Sequence, residues 1–429
     1  MIMRRIAVIL VALAAGVGRV EAQMQCSVLD QNTFVRDTLR EMYLWYDRLP
    51  DLDPALVDSP EGYLDAVRLR PEDETFSYIT SAAESTAFYS ESQFVGIGFS
   101  MRPVGESRLR VTQVFPESPA SEAGLARGDY LTAVGGRSVE ELLATGELDF
   151  ALGPSEIGVT LELAWRSQFG EERSAVVVKR PVTIPTVSQK EVIDLEGLPV
   201  GYLHLRNFVE PSLGALDTAF AEFRARGVTD VILDLRYNGG GLIEVARHLG
   251  SLIGGSRTTT QPFVELVHND KNTFRNRTFR FDDPEERLDL PRLVVITTRA
   301  SASASELVIQ GLKPFIAVTV VGDRTYGKPV GQYGFEFCDK MLFPVSFRSR
   351  NAAGETDFFD GIPANCPAAD NLDRALGDPA EASLAEGLYF LRRGQCSASS
   401  QREGRALALE VAELPLGMRS GFSRLLNAW

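Results

Sequence analysis

The stretch VTDVILDLRYNGGG (residues 228–241) decides the fold class of this chain. Its first half, Val228 to Leu235, is an apolar run of the length expected for a buried strand. Its second half contains three consecutive glycines, and the helical pattern of Leu242 to Ile253 follows. A buried strand that leads through a tight turn into a helix predicts a βαβ unit in a mainly parallel sheet.

The same alternation extends in both directions from this stretch. Further strands are predicted at 200–205, 292–297 and 317–322, and further helices at 213–226 and 304–312. The polar segment from Gly254 to Leu290 predicts an inserted hairpin. Asp378-Pro379-Ala380-Glu381 has the pattern of a capping box and predicts a helix that runs to about Arg392. Residues 186–395 are therefore predicted to form an α/β core.

Residues 93–185 have a different pattern, with short alternating strands broken by turns. This region resembles a PDZ domain of the kind found in exported bacterial proteases, and FVGIGF (residues 94–99) resembles its carboxylate-binding loop and first ligand-facing strand. Glycines let backbone N–H groups turn toward a terminal carboxylate, and the next strand offers an edge for peptide addition. The resemblance implies tail binding at Val95, Gly96, Ile97, Gly98 and Phe99. The alternative is that Gly96 and Gly98 only form a bulge in a small barrel.

The remaining segments complete a mixed α+β organisation. Residues 1–22 have two arginines, an apolar run and a small-residue cleavage pattern, which predicts a signal peptide and a periplasmic or secreted protein. The apolar run is shorter than the roughly 20 residues of a spanning helix, which disfavours an uncleaved anchor. Residues 23–92 predict a small helical region with helices at 30–46 and 60–68, and residues 396–429 predict a loosely packed tail.

Charge and cysteine content limit the partners and the chemistry. The formal net charge of −14 argues against nucleic acid or an anionic membrane as a partner. Because an exported chain meets oxidising conditions, the four cysteines predict two disulfides. We expect Cys338 to pair with Cys366, which closes a short loop, and Cys26 to pair with Cys396, which ties the two ends together. The cysteine spacing fits no zinc module, so we expect no metal and no cofactor.

Three segments in the α/β core carry groups suited to catalysis. They are the glycine turn at 238–241, the run SASASE at 301–306, and the segment GDRTYGK at 322–328 with Gln332 beyond it. Taken singly, each has a structural explanation: a tight turn, a helix N-cap at Ser303 in a capping box with Glu306, and a solvated surface cation at Lys328. Together they should meet, because functional groups gather at the carboxyl ends of parallel strands.

The combination favours a serine nucleophile with a lysine base. A serine at a helix N-terminus places the next N–H, that of Ala304, where an oxyanion would form, and Gly240 or Gly241 can supply a second donor. The three histidines lie in no recognisable triad, so Lys328 is the candidate base. A lysine base must be neutral, which requires burial to lower its pKa from about 10.4 to roughly 7 or 8. The uncharged amide of Gln332 can orient the amine without keeping it protonated.

At this point the chain resembles the C-terminal processing (tail-specific) serine peptidases, peptidase family S41, over about residues 96–391. SASASE stands here unchanged, and Lys328 lies 25 residues after Ser303. The resemblance implies Ser303 as nucleophile, Lys328 as base, Gln332 as third member, and an oxyanion hole at Ala304 with Gly240 or Gly241. It also implies an exported endopeptidase that cleaves proteins with apolar C-termini near those termini.

Two departures from the family pattern affect details of the site. Gly239 stands where the family commonly has Pro, which leaves open which glycine serves the oxyanion hole. Pro329 stands where the family commonly has Gly, which fixes the backbone next to the base.

Two further hypotheses remain open. The interphotoreceptor retinoid-binding proteins have the same α/β fold and bind apolar ligands, so the alternative function is a non-catalytic binder of such ligands or of peptide tails. In addition, the sequence ends LLNAW, an apolar end that suits a PDZ groove, so self-capture or self-trimming is a hypothesis.

Overall fold

The computed structural model describes residues 26–400, 402 and 429. Its helices are α1 (Val28–Met42), α2 (Pro60–Val67), α3 (Ala82–Glu91), α4 (Pro119–Glu122), α5 (Val139–Thr145), α6 (Leu148–Leu152), α7 (Ser212–Ala225), α8 (Ile243–Gly254), α9 (Ala304–Leu312) and α10 (Ala382–Arg393). Its strands are β1 (Tyr78–Ser81), β2 (Gln93–Gly96), β3 (Phe99–Val104), β4 (Arg108–Val114), β5 (Tyr130–Val134), β6 (Arg137–Ser138), β7 (Thr160–Arg166), β8 (Glu172–Val178), β9 (Arg180–Thr183), β10 (Val187–Leu195), β11 (Leu198–Leu205), β12 (Asp230–Asp234), β13 (Pro262–His268), β14 (Arg277–Arg280), β15 (Arg292–Thr297), β16 (Ala317–Gly322), β17 (Val330–Gln332), β18 (Phe335–Phe337), β19 (Lys340–Phe343), β20 (Val345–Arg350) and β21 (Cys366–Pro367).

A six-stranded sheet forms the centre of the α/β core, in the order β10-β11-β12-β15-β16-β21. It is parallel from β11 to β21, and β10 joins it antiparallel, which confirms the predicted mainly parallel core. Residues alternate between its two faces. Leu233 and Val295 pack with α7, α8 and α9, whereas Ile232 and Val294 pack with α10. Helices therefore cover both faces, as a buried parallel sheet requires.

The PDZ-like region also forms as predicted. Strands β3, β4, β5, β7 and β8 make a largely antiparallel sheet in that order, β6 pairs with β5, and β2 pairs with β9 beside it. Ser118 caps α4 and Pro119 occupies its first turn, as the sequence pattern predicts. Strand β3 lies at the edge of this sheet.

The N-terminal region contains the two predicted helices together with α3 and a strand. Strand β1 pairs with β19 of the core in a three-stranded sheet, and the apolar faces of α1 and α2 pack on Val330, Leu342 and Val345. This region therefore shares its core with the segment that follows the predicted base. The predicted insertion at 254–290 is confirmed as a hairpin, with β13 and β14 antiparallel.

The predicted start and end of the first helix and the predicted start of the last helix are wrong. The first helix was expected at Asp30 to Tyr46, but Ser27 caps it and it ends at Met42. The last helix begins three residues later than expected, at Ala382, because Glu381 is its N-cap and accepts from the Leu384 N–H at 3.1 Å. Asp378 instead accepts from the Ala380 N–H at 2.8 Å and closes a turn ahead of the helix.

Both predicted disulfide pairings are wrong, although all four cysteines are bonded. The bonds join Cys26 to Cys338 and Cys366 to Cys396. Phe34 of α1 stacks on the ring of Phe337, which brings the start of α1 beside Cys338. Helix α10 packs on the face of the sheet that ends in β21, so Cys396 beyond it reaches Cys366. These contacts between segments distant in sequence decide the pairing.

Two of the segments predicted from the sequence are wholly or mostly absent from the described part of the chain. The predicted signal peptide at 1–22 and most of the predicted tail lie outside the described residues. Within the described part of the chain, no helix has both the length and the apolar character of a membrane span. Cys366, Glu386 and Cys396 are close enough together for a metal ion, but the disulfide uses both sulfur atoms.

We expect the Cys26–Cys338 bond to stabilise the fold more than the Cys366–Cys396 bond. The two bonds span 312 and 30 residues, and the chain-entropy model gives the longer loop an advantage of about 2 kcal/mol. The double variants Cys26→Ser/Cys338→Ser and Cys366→Ser/Cys396→Ser should be compared by urea unfolding. Equal losses, or a greater loss in the second variant, would contradict the expectation.

Candidate active site

The glycine turn and the serine segment meet at the carboxyl ends of β12 and β15. Ser301 Oγ donates to the Leu235 carbonyl at 2.8 Å, and Ser305 Oγ donates to the Asn238 carbonyl at 3.0 Å. The Ala302 N–H donates to the same Asn238 carbonyl at 3.1 Å. Two serines of SASASE therefore attach the segment to the turn, which leaves the middle serine for another role.

Ser303 stands at the N-terminus of α9 in an unusual backbone conformation. Its φ of 56° and ψ of −112° lie outside the regions that non-glycine residues commonly adopt. The side chain is partly exposed, whereas its neighbours Ala302 and Ala304 are buried. Strained conformations of this kind are concentrated at functional sites, where surrounding contacts hold them.

Glu306 joins the serine turn to the lysine segment. Its buried carboxylate accepts from the Ser303 N–H at 2.8 Å and the Lys328 N–H at 2.9 Å through Oε2. Through Oε1 it accepts from Thr325 Oγ1 at 2.6 Å and the Gly327 N–H at 2.7 Å. Burial raises the pKa of Glu306, although these four hydrogen bonds favour the ionised form. The sequence pattern indicated Glu306 only as part of a capping box, and its link to the lysine segment was missed.

Gln332 holds the Lys328 amine in a fixed position. Lys328 Nζ donates to Gln332 Oε1 at 2.5 Å. Gln332 Nε2 donates to the carbonyls of Phe76 at 2.6 Å and Phe343 at 2.9 Å. Because both amide hydrogens have acceptors, the amide oxygen must face the lysine. The structure thus brings Gln332 to Lys328 as predicted.

The pKa of Lys328 is lowered to about 8, chiefly by burial of its amine. Nζ lies 5.8 Å from the centre of the Phe76 ring, and Lys328 as a whole keeps some exposure. The charges of Asp73 and Glu306 oppose this decrease. At neutral pH a useful fraction of the amine is therefore uncharged, as a general base requires.

The N-terminal region supplies groups to the site that the sequence analysis missed. Asp73 is buried, and its carboxylate accepts from Tyr43 Oη at 2.8 Å and from the Ser77 N–H at 2.7 Å. Burial raises the pKa of Asp73. Thr75 Oγ1 and Tyr326 Oη lie 2.5 Å apart in a further hydrogen bond to the lysine segment. The pattern of residues 69–78 contains no catalytic signal, so only the tertiary contacts reveal this contribution.

Gly241 and Ala304 retain N–H groups suited to an oxyanion hole. The Gly240 N–H donates to Asn238 Oδ1 at 2.9 Å, so it is already engaged. In the described part of the chain, the N–H groups of Gly241 and Ala304 have no hydrogen-bond acceptor. The position of Gly240 has no room for a larger side chain, because a Cβ there would lie 2.9 Å from Ala304 N.

Ser303 Oγ and Lys328 Nζ are not hydrogen-bonded to each other among the described residues. Their backbones are nonetheless fixed to one carboxylate oxygen of Glu306. Catalytic hydrogen bonds are often long or misaligned until substrate is bound. The site therefore presents a serine, an amine of lowered pKa and free N–H donors, which together suit acyl transfer.

A buried ionic cluster connects the glycine turn to the PDZ-like domain. Arg236 is fully buried between Asp234, at 2.6 Å, and Asp370, at 3.0 Å. Arg127 of the PDZ-like domain donates to Tyr237 Oη at 2.8 Å and pairs with Asp370 at 3.2 Å. Tyr237 directly precedes Asn238, so this contact reaches the start of the glycine turn.

The predicted tail-binding residues lie together on the PDZ-like domain. Val95 and Gly96 belong to β2, Phe99 begins β3, and Ile97 is buried between them. Gly98 has a φ of 93° and directs its N–H, with that of Phe99, to the carbonyl oxygen of Trp429. The loop thus binds a main-chain oxygen in the way predicted for a carboxylate.

Three family models match the chain. Residues 199–362 match peptidase family S41, residues 30–78 match the peptidase S41 N-terminal domain, and residues 110–152 match the PDZ domain.

The chain is also similar to curated proteins named "Probable CtpA-like serine protease". It is 24% identical to that of Staphylococcus saprophyticus over 316 residues, or 72% of this chain and 61% of the relative. It is 29% identical to that of Staphylococcus aureus over 275 residues, or 63% and 52%. The chain therefore matches between half and two thirds of the length of these relatives.

Two crystal structures show related folds. An S41 protease candidate from Bacteroides fragilis is 25% identical, with a TM-score of 0.69 over 84% of this chain and 97% of that one. The photosystem II D1 C-terminal processing protease is 22% identical, with a TM-score of 0.52 over 79% and 92%.

We expect Asp73→Asn to lower the pKa of Lys328 below its value of about 8, because it removes a negative charge that raises this pKa. The asparagine oxygen can still accept from the Ser77 N–H. The chain has six lysines, so NMR titration of reductively ¹³C-methylated protein can resolve them. The exposed Asp51→Asn is the control, and an unchanged or raised pKa in Asp73→Asn would contradict this prediction.

We expect Gly240→Ala to destabilise the protein more than Gly197→Ala. Both glycines have positive φ, at 106° and 89°, but only the first is crowded, with Ser303 Cβ 2.8 Å from the added Cβ. Overpacking of this kind costs about 1–3 kcal/mol beyond the backbone strain that both variants share. Urea unfolding measures the difference, and similar losses would show that the turn can move away from the serine.

Proposed function

Because the chain belongs to peptidase family S41, we propose that it is an exported serine endopeptidase that cleaves protein substrates near their C-termini. The observation that carries this proposal is the Lys328 amine, whose pKa is lowered to about 8 and which Gln332 holds on a segment that Glu306 joins to the serine turn. A non-catalytic binder on the same fold would have no need of such an amine. The matched relatives carry names that describe serine proteases, in agreement with this activity.

In the proposed mechanism, Ser303 attacks the substrate carbonyl. Lys328 accepts the serine proton in its neutral form, and its amine must come within hydrogen-bonding distance of Ser303 Oγ when substrate binds. The N–H groups of Ala304 and Gly241 stabilise the oxyanion. Protonated Lys328 then donates to the leaving amine, and a water molecule hydrolyses the acyl-enzyme with Lys328 again as base.

The PDZ-like domain is proposed to capture the substrate tail. Beside its loop lies a cleft of about 640 Å³ that Phe94 and Val95 line together with Ser77 and Tyr78 of the N-terminal region. Ser77 follows Phe76, whose ring faces the Lys328 amine. A polypeptide bound at the loop therefore has a path along this cleft toward the catalytic site.

Export of the protein is proposed from two features. Residues 1–22 have the charge and apolar pattern of a signal peptide, and the four cysteines of the mature region form disulfides. Disulfides persist in periplasmic and extracellular space and are rare in the cytosol.

We expect Ser303→Ala and Lys328→Ala each to lower kcat for peptide cleavage by at least about 10³-fold, since they remove the nucleophile and the base. Cleavage of an unstructured protein with an apolar C-terminus, followed by mass spectrometry, measures this effect. In the unaltered enzyme, activity should rise with pH through about 8, as Lys328 loses its proton.

Lys313→Ala is the matched control for the lysine variant. Lys313 forms a surface ion pair with Glu355 at 3.1 Å, so its loss should leave kcat unchanged. Thermal unfolding should show that all three variants are folded. Substantial cleavage by folded Ser303→Ala or Lys328→Ala protein would refute the proposed roles.

A further inference from the structure

Trp429 occupies the tail-binding loop of the PDZ-like domain. Its carbonyl oxygen accepts from the Gly98 N–H at 2.5 Å and the Phe99 N–H at 3.3 Å, and its own N–H donates to the Phe99 carbonyl at 2.8 Å. The rings of Trp429 and Phe99 are stacked, with their centres 6.1 Å apart. The tryptophan therefore has main-chain and side-chain contacts with one short segment.

Trp429 pairs with the edge of the PDZ-like sheet as a residue of an additional strand would. Trp429 and Phe99 exchange both main-chain hydrogen bonds, as two residues of an antiparallel pair do. Phe99 begins β3, the edge strand of the PDZ-like sheet. Peptides bind to exposed sheet edges in this way, with main-chain bonds for affinity and side-chain contacts for specificity.

The loop is shaped closely around the Trp429 main chain. A Cβ on Gly96 would lie 2.7 Å from the carbonyl carbon of Trp429, so only glycine leaves room for the bound group. Gly98 needs its φ of 93° to present its N–H to the Trp429 oxygen. Both glycines thus contribute directly to holding Trp429.

We propose that Trp429 is an intramolecular ligand of the PDZ-like groove and competes with substrate tails for it. This inference rests on the proposed function and adds a means of regulating the same groove. A substrate carboxylate would need the N–H groups of Gly98 and Phe99, which Trp429 already occupies. Tail capture and self-occupation therefore exclude each other.

Tethering makes this competition effective. A ligand on the same chain as its site competes intramolecularly, at an effective concentration that reaches about 1 mM. A substrate tail at micromolar concentration must compete against this value. We therefore expect release of Trp429 to tighten tail binding by tenfold or more.

The test measures tail binding in full-length Ser303→Ala protein, so that no cleavage interferes. The probe is a fluorescein-labelled peptide ending in Leu-Leu-Asn-Ala-Phe with a free carboxylate, and its C-terminally amidated form is the negative control. Fluorescence anisotropy should give a Kd at least tenfold lower after Trp429→Asp is added. Phe169→Asp is the matched control, because this phenylalanine of the same domain is 85% exposed, and it should leave the Kd unchanged.

Tryptophan emission provides a second measurement. Trp45 and Trp165 are 7% and 1% exposed, so the emission of Trp429 should respond most to a ligand in the groove. Unlabelled peptide should shift the emission of Ser303→Ala protein to longer wavelength as Trp429 is displaced. The shift should vanish when Trp429→Asp is also present, and its midpoint should not depend on protein concentration.

The possible results separate the competing explanations. Equal Kd values with and without Trp429→Asp would overturn the competition, as would a midpoint that depends on protein concentration, which indicates binding to a second copy. Absence of peptide binding in every variant would overturn the groove as a tail site. Cleavage by protein with Ser303 intact is measured separately, so loss of competition and loss of catalysis can be distinguished.

Discussion

The candidate site depends on the hydrogen bonds that the buried carboxylate of Glu306 accepts. The serine and the lysine come from segments that follow the neighbouring strands β15 and β16, and the Tyr326 N–H donates to the Ser301 carbonyl at 2.9 Å where these segments meet. Glu306 accepts from the backbone N–H of both residues on a single oxygen atom. A buried carboxylate is costly unless its hydrogen-bonding capacity is satisfied, and here four donors satisfy it. The same bonds that compensate its burial therefore align the serine segment with the lysine segment.

The sequence predicted the parts of the structure that depend on local pattern. Strands at 292–297 and 317–322 and helix α9 were predicted with the observed bounds, because apolar runs and glycine turns encode them directly. The pairing of Lys328 with Gln332 was implied by the resemblance to the peptidase family and by the suitability of an uncharged amide. The disulfide pairs, Asp73 and the ring of Phe76 were not predictable in this way. Asp73 and Phe76 are placed by the pairing of β1 with β19, a contact between segments more than 250 residues apart, and the Cys366–Cys396 pair depends on the packing of α10 beside β21.

Buried charges also position the PDZ-like domain relative to the core. Asp234 keeps a pKa lowered to about 2, although it is fully buried, because the Arg236 charge compensates its desolvation. Arg127 adds a positive charge next to Asp370 and holds the hydroxyl of Tyr237. Removal of one member of such a cluster leaves another charge unpaired in the interior, which is far more costly than loss of a surface ion pair. These charges therefore fix where the PDZ-like domain contacts the core, and this contact lies next to the glycine turn.

The pKa of Lys328 results from opposing effects on one amine. Burial favours the neutral form, whereas the carboxylates of Asp73 and Glu306 favour the charged form. Neither carboxylate contacts the amine, because each is engaged by other donors, and the direct partner of the amine is an amide. With a carboxylate in the place of Gln332, an opposite charge in direct contact would keep the lysine protonated. The uncharged partner lets burial prevail and leaves the pKa at about 8, close enough to neutrality for the amine to take up and release a proton near pH 7.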